Sequence, residues 1–213
     1  MARIITVAQQ KGGTGKTTLA AHLAAALAGG SPSGRRVALL DTDPQHSLAR
    51  WHALRVARGA GPPALLFADP AGWRLGPAID KLRREADVVL IDSPPQIDTD
   101  ARLAVRAADL VLIPVQPSPP DLWAAEGTLA LAAAERRPAR LVLNRAPAAG
   151  RLRDGVEAEI AARAWPRLAA VLGNRIGFAS AFAEGLGVTE AAPRSLAAAE
   201  LRALLTEIEE LTA

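Results

Sequence analysis

Residues 11–18 read Lys11-Gly12-Gly13-Thr14-Gly15-Lys16-Thr17-Thr18 and stand between a short apolar run, Arg3–Ala8, and an Ala/Leu-rich stretch, Lys16–Ala28. A strand, a Gly-rich turn and a helix in that order make a phosphate-binding loop. The glycines let backbone N–H groups converge on phosphate oxygens, and the helix N-terminus adds positive potential. Lys16 is placed to reach the β- and γ-phosphates, and the Thr17 hydroxyl to reach Mg²⁺. Gly12, Gly13, Thr14, Gly15 and Thr18 complete the expected nucleotide-binding set, with ATP and Mg²⁺ as its ligands. A flexible turn without a ligand is the bland alternative, and the flanking strand and helix weigh against it.

Working outward, short apolar runs recur at Arg36–Asp41, Ala64–Phe67, Asp87–Asp92, Asp109–Val115 and Arg140–Asn144. Most are continuously apolar rather than alternating, as in parallel strands covered on both faces. Helical stretches at Ser47–Arg58, Ala78–Glu85, Ala101–Ala107 and Asp121–Arg137 separate them, and others follow at Leu152–Ala164 and Ser195–Leu211. The alternation predicts an α/β fold, a mainly parallel twisted sheet with helices on both faces. Gly29–Gly34 reads as a helix-to-strand loop, and no linker divides the chain. Residues 1–213 are therefore expected to form a single domain. Ligands of such sheets bind beyond the carboxyl ends of the strands, where the chemistry-bearing residues fall.

Two acids, Asp41 and Asp43, follow the second apolar run in Asp41-Thr42-Asp43-Pro44-Gln45. Such a pair orients an attacking water or metal-bound water, and it equally well caps the helix that begins near Ser47. Val88-Val89-Leu90-Ile91-Asp92 ends in an acid that, beside a phosphate loop, fixes the Mg²⁺ shell, so Thr17 and Asp92 are the expected metal partners. Leu141-Val142-Leu143-Asn144-Arg145 ends at the same sheet edge. Asn144 could pair with the edge of adenine and Arg145 could lie over its ring; a helix cap and a surface charge are the bland readings.

The general loop pattern wants Gly five places before Gly15, where this chain has Gln10, and it carries a second lysine, Lys11, before Gly12-Gly13. This resembles the deviant Walker A loop of the ParA/MinD family. The resemblance implies that Lys11 acts in trans, crossing a dimer interface to a partner's nucleotide, so that hydrolysis depends on dimerisation. Only three lysines are present and two lie in this loop, which argues against an idle surface charge. Asp41–Gln45 resembles the family's first switch motif, which implies that Asp43 positions the hydrolytic water, and Ser93-Pro94-Pro95 resembles the second. Asp109–Asp121, with Pro117-Ser118-Pro119-Pro120, is similar to the small ParF-like partition ATPases. It either shapes a dimer or polymer contact or is a stiff joint between strand and helix.

Composition narrows the classes. With 213 residues, half of them apolar, one sizeable core is expected. The absence of cysteine excludes disulfides, thiolate metal sites and the iron–sulfur relatives of the family. The first residues lack a signal pattern, and Leu19–Ala28 is broken by His22 and far too short to span a bilayer, so a cytoplasmic setting is expected. No separate N-terminal DNA-binding domain is expected.

Net charge is +3, but from Arg136 to Arg175 nine arginines face three acids, an excess of six. A partition-type reading places duplex DNA on that region, through Arg163, Arg167, Arg175 and neighbours, bound by phosphates and without sequence preference. Its expected partners are a second copy in an ATP-dependent homodimer, double-stranded DNA and a cargo-bound activator, with nucleoid association when ATP is bound. A MinD-like membrane switch is the rival, and Ser195–Ala213 carries Arg202 against four glutamates, a net charge of −3 that anionic lipid would repel. A small-molecule ATP-dependent ligase is the third reading.

Overall fold

The computed structural model describes residues 2–29, 35–59, 65–70, 72–96 and 98–212. Most of the expected loop at 29–34, and Ala64, lie outside these residues. The strands are β1 (Arg3–Val7), β2 (Val37–Asp41), β3 (Leu66–Ala68), β4 (Val88–Asp92), β5 (Leu110–Val115), β6 (Ala139–Ala146) and β7 (Arg167–Gly173). The helices are α1 (Lys16–Gly29), α2 (Ser47–Ala57), α3 (Leu75–Glu85), α4 (Thr99–Ala107), α5 (Pro119–Ala134), α6 (Arg151–Ala162), α7 (Ile176–Ala183), α8 (Val188–Ala191) and α9 (Leu196–Leu211). One further 3-10 turn covers Gly72–Arg74.

The strands pair in the order β3-β2-β4-β1-β5-β6-β7, every pair parallel. β2, β4 and β5 are buried along their whole length, which explains their unbroken apolar sequence. Alternate side chains serve opposite layers. Ile5, Val7, Leu39, Leu90 and Leu112 pack with α1, α2, α7, α8 and α9. On the other face Ile4, Leu40, Val89 and Ile91 pack with α3 and Ala104 of α4, while Val111, Ile113 and Leu141 pack with α5, α6 and Val105 of α4.

The alanines of α1 have a packing cause. That helix is enclosed along most of its circumference, with Leu19 to Ala28 all buried, and its neighbours come very close: a Cβ built on Gly187 would sit 2.4 Å from the Cβ of Ala25. Larger side chains there would push α8 away.

Two regions were not legible as elements, β7 and the α7–α8 pair. β7 is an edge strand rich in alanine, and only Leu168 and Leu172 are fully buried along it. Its free edge is closed by carboxylates from α9. Glu207 accepts from the N–H groups of Ala169 (2.7 Å) and Ala170 (2.6 Å), and Glu200 from that of Gly173 (3.0 Å). α9 itself turns Ala197, Ala198, Leu201, Leu204 and Ile208 into the core, so its apolar face is already covered. No helix among the described residues is long and apolar enough to cross a membrane.

Candidate nucleotide and metal site

The loop between β1 and α1 turns with Gly13 at φ 80° and Gly15 at φ 93°, conformations that side chains other than glycine's rarely tolerate. Gly15 is constrained twice over, because an added Cβ would lie 2.6 Å from Asn144 Nδ2. Three donors from other strand ends brace the loop from outside. Asn144 Nδ2 donates to the Thr14 carbonyl (2.8 Å), Gln116 Nε2 to that of Gly13 (2.8 Å), and an Arg145 guanidinium nitrogen also to Gly13 (3.2 Å). Arg145 reaches it from a left-handed backbone, φ 50°. Lys16 is buried, its Nζ donating to the Lys11 carbonyl at 3.3 Å, and burial lowers its pKa against the pull of Asp92 and Asp43.

The acids divide their work. Asp41 and Asp92 are register partners on β2 and β4. Both oxygens of Asp41 are committed, Oδ1 to the N–H of Asp43 and Oδ2 to that of Ala49, each at 3.0 Å. It therefore holds the following loop and caps the third residue of α2, while the N-cap position, His46, offers no side-chain bond. Asp43 is half-buried, and among the described residues its carboxylate accepts only from Gln45 N–H, at 2.9 Å. Asp92 is fully buried, neither of its oxygens has a hydrogen-bond partner among the described residues, and burial pushes its pKa up to about 8, opposed by the nearby Thr17 hydroxyl and Lys16. A buried acid without partners is costly unless a cation completes it. Beside Thr17 and a Gly-rich turn, that vacancy in bonding fits a divalent ion held with phosphate.

Next to the loop, a cavity of about 660 Å³ opens between Thr18, His22, Asn144, Arg145, Arg175 and Phe178, large enough for a nucleoside. The amide of Asn144 is spent on Thr14 and on the Arg145 N–H (3.0 Å), so its observed part is to brace the loop, and Arg145 lines the cavity beside it.

The model of the CobQ/CobB/MinD/ParA nucleotide-binding domain matches residues 5–188. The chain belongs to that family. Over 215 aligned residues it is 29% identical to the "Maintenance of carboxysome distribution protein A" of Halothiobacillus neapolitanus, covering 96% of this chain and 95% of that one. It is 36% identical over 156 residues to the "Chromosome-partitioning ATPase Soj" of Thermus thermophilus, covering 62% and 60%. The septum site-determining protein MinD of Pyrococcus horikoshii, solved with Mg-ADP, superposes with a TM-score of 0.79 at 22% identity over 100% and 98% of the chains. The expected ParA/MinD membership and the parallel α/β fold are thus borne out.

Against that family frame, Lys11 is not idle. Its ammonium bonds the carboxylate of Asp121, and the side chains are 41% and 1% exposed. Asp121 also accepts from Ser118 Oγ (2.6 Å) and Gln116 N–H (3.3 Å). Pro119 and Pro120 occupy the first turn of α5, with Ser118 as its N-cap. Within the described chain the proline-rich stretch is therefore a stiff helix start. Gln10, which stands where the general pattern has glycine, lies in a notch on α5: a Cβ on Gly127 would be 2.0 Å from its Nε2.

The arginines expected to face DNA each hold a carboxylate partner within the chain. Arg163 pairs with Glu126 (3.1 Å) and Glu159 (2.7 Å), Arg167 with Glu157 (3.7 Å), and Arg175 with Glu200 (2.6 Å). Arg175 moreover lines the nucleoside-sized cavity. The count of nine arginines against three acids already held Glu157 and Glu159 but left out Glu126 and Glu200, which other segments bring.

Residues that sequence reading missed are Asp121, Gln116 and His22. His22, on α1, is buried with Nδ1 accepting from Val188 N–H (3.0 Å) and Nε2–H donating to the Phe178 carbonyl (3.0 Å). It ties the loop helix to α8 and to α7, whose Ile176, Phe178 and Phe182 line the cavity. No local motif marks it.

Proposed function

We propose that the chain is a ParA-type positioning ATPase whose residues 1–213 act as one ATPase domain. It binds ATP with Mg²⁺, closes into a sandwich homodimer, holds duplex DNA without sequence preference and positions a cargo. A cargo-bound activator stimulates hydrolysis. The observation that carries this reading is the unpartnered, buried Asp92 carboxylate beside a loop that bears both Lys16 and Lys11. Thr17 and Asp92 hold the metal, Lys16 the β/γ-phosphates, and Gly12, Gly13, Thr14, Gly15 and Thr18 the remaining phosphate oxygens. Asp43, free where Asp41 is committed, orients the attacking water. Lys11 reaches developing phosphate charge in the second subunit. Asn144 and Arg145 line the base cavity.

The setting is the cytoplasm, with nucleoid association in the ATP state. A membrane-lying role is not favoured, because α9 spends its apolar face on the core and its acids on β7. The test is Mg²⁺-dependent release of phosphate from ATP, followed with and without random-sequence duplex, beside sizing of the protein in ATP and ADP. Hydrolysis with an ATP-specific dimer supports the proposal; a monomer in every nucleotide state that turns over a metabolite overturns it in favour of a ligase.

A further inference from the structure

All strands of a parallel sheet begin at one end, and the helices that follow them end there. In this molecule the part of that end under α3, α4 and α5 is rich in arginine. It holds Arg36 before β2, Arg83 and Arg84 in the last turn of α3, Arg102 and Arg106 on α4, Arg136 and Arg137 after α5, and Arg140 in β6. The acids there are Glu85, Asp87, Asp109 and Glu135. Eight against four is an excess of four, more than the +3 of the entire chain.

Arginine at a helix C-terminus first of all complements the helix dipole. Three helix ends at about half a charge each offset roughly 1.5 of the excess, which leaves more than two charges uncompensated. The ion pairs confirm the surplus. Glu135 alone serves Arg106 (2.9 Å) and Arg102 (3.7 Å) with Arg137 close by, and Arg36 takes Asp87 (3.1 Å). Among the described residues Arg84, Arg136, Arg137 and Arg140 have no carboxylate partner. Arg83 donates to the carbonyl of Ala107 (3.3 Å), which joins the α3 and α4 ends into one surface, and Arg36, Arg83 and Arg84 surround a cleft of about 360 Å³.

We propose that this strand-start edge is the surface that contacts the phosphate backbone of duplex DNA. The inference rests on the DNA-binding reading above and places it elsewhere than Arg163–Arg175. Guanidinium groups match phosphate geometry. The two exposed tryptophans, Trp73 and Trp123, stand at the starts of α3 and α5, the opposite end from this stretch. A protein partner would want such an anchor, and single-stranded nucleic acid would want an aromatic platform; the phosphates of a duplex want neither. In a sandwich formed through the loop ends, the two edges point outward, so one dimer holds two duplex segments.

The experiment uses the full chain with ATP and a labelled random duplex, over a salt series. The variant Arg84→Ala/Arg136→Gly removes two guanidiniums that have no ion pair, glycine suiting the φ of 55° at position 136. Arg163→Ala/Arg167→Ala serves as the comparison, and DNA-independent ATP turnover checks that both fold. The edge variant is expected to lose ten-fold or more in affinity at low salt, with the slope of log K against log salt falling by about two per engaged edge. Unchanged affinity and slope in the edge variant, with loss in the comparison variant, overturns the placement. Absence of DNA binding by the unaltered protein at low salt overturns the DNA reading itself, and inorganic phosphate abolishing the effect at equal ionic strength and constant ATP assigns the cleft to a small anion instead.

Discussion

The ammonium of Lys11 rests on the carboxylate of Asp121 across the gap between the phosphate loop and the first turn of α5, within a single chain. A lysine proposed to act on a neighbour's nucleotide is thus already engaged at home. Lys11→Ala is expected to keep most nucleotide affinity and lose turnover, and Lys16→Ala to lose binding outright. Equal loss of affinity in both, by fluorescent-nucleotide titration, contradicts the division. Lys11→Ala also strands a buried acid, so stability drops on the order of 1 kcal/mol, with recovery in Lys11→Ala/Asp121→Asn by urea unfolding.

Asp41 and Asp43 are expected to part ways on substitution. Asp43→Ala leaves the fold intact and accumulates an ATP-bound dimer, since water attack fails while phosphate is still held. Asp41→Ala frees the N–H groups of Asp43 and Ala49 and loosens α2, lowering the melting temperature. Size-exclusion chromatography with ATP decides the first point: an Asp43→Ala protein that stays monomeric where the unaltered one dimerises removes the assignment.

Gly15→Ala is expected to cost nucleotide binding through two routes, strain at φ 93° and displacement of Asn144. Adding Asn144→Ala relieves only the second. Isothermal titration of the single and double variants should show at most partial recovery, and full recovery would mean that the backbone angle is of no account.

His22 supplies a pH dependence. Burial holds its pKa down at about 4, against 6.5 for the free side chain, so the unfolded chain binds the proton more readily. The stability contributed by the neutral ring is complete above pH 6.5 and is lost as pH falls towards 4, an effect on the order of 3 kcal/mol. The gap in unfolding free energy between the protein and His22→Gln should narrow between pH 7 and 4.5; a gap constant with pH rules the mechanism out.

The phosphate loop, both acidic strand ends and the central strands were legible because each is decided by residues adjacent in sequence. Gly15 beside Lys16, or Ile91 before Asp92, carries its meaning locally. What escaped depends on distant segments. β7 lacks a buried second face, so its alanines give no periodic signal, and its closure depends on Glu200 and Glu207 thirty or so residues on. The pairing of Arg163 with Glu126 was invisible for the same reason. Asp41 was read correctly as a possible cap, but the position it caps, Ala49, follows from the path of the intervening loop.

The carboxylates of α9 that finish the N–H groups of β7 have a consequence for how copies of this protein can meet. An open parallel edge is adhesive, because any extended peptide can continue its ladder. Here two glutamates occupy that seam, and a newcomer strand would have to expel charge to zip on. Self-adhesion through this border is blocked, so crowded copies cannot join by adding strand to strand at β7.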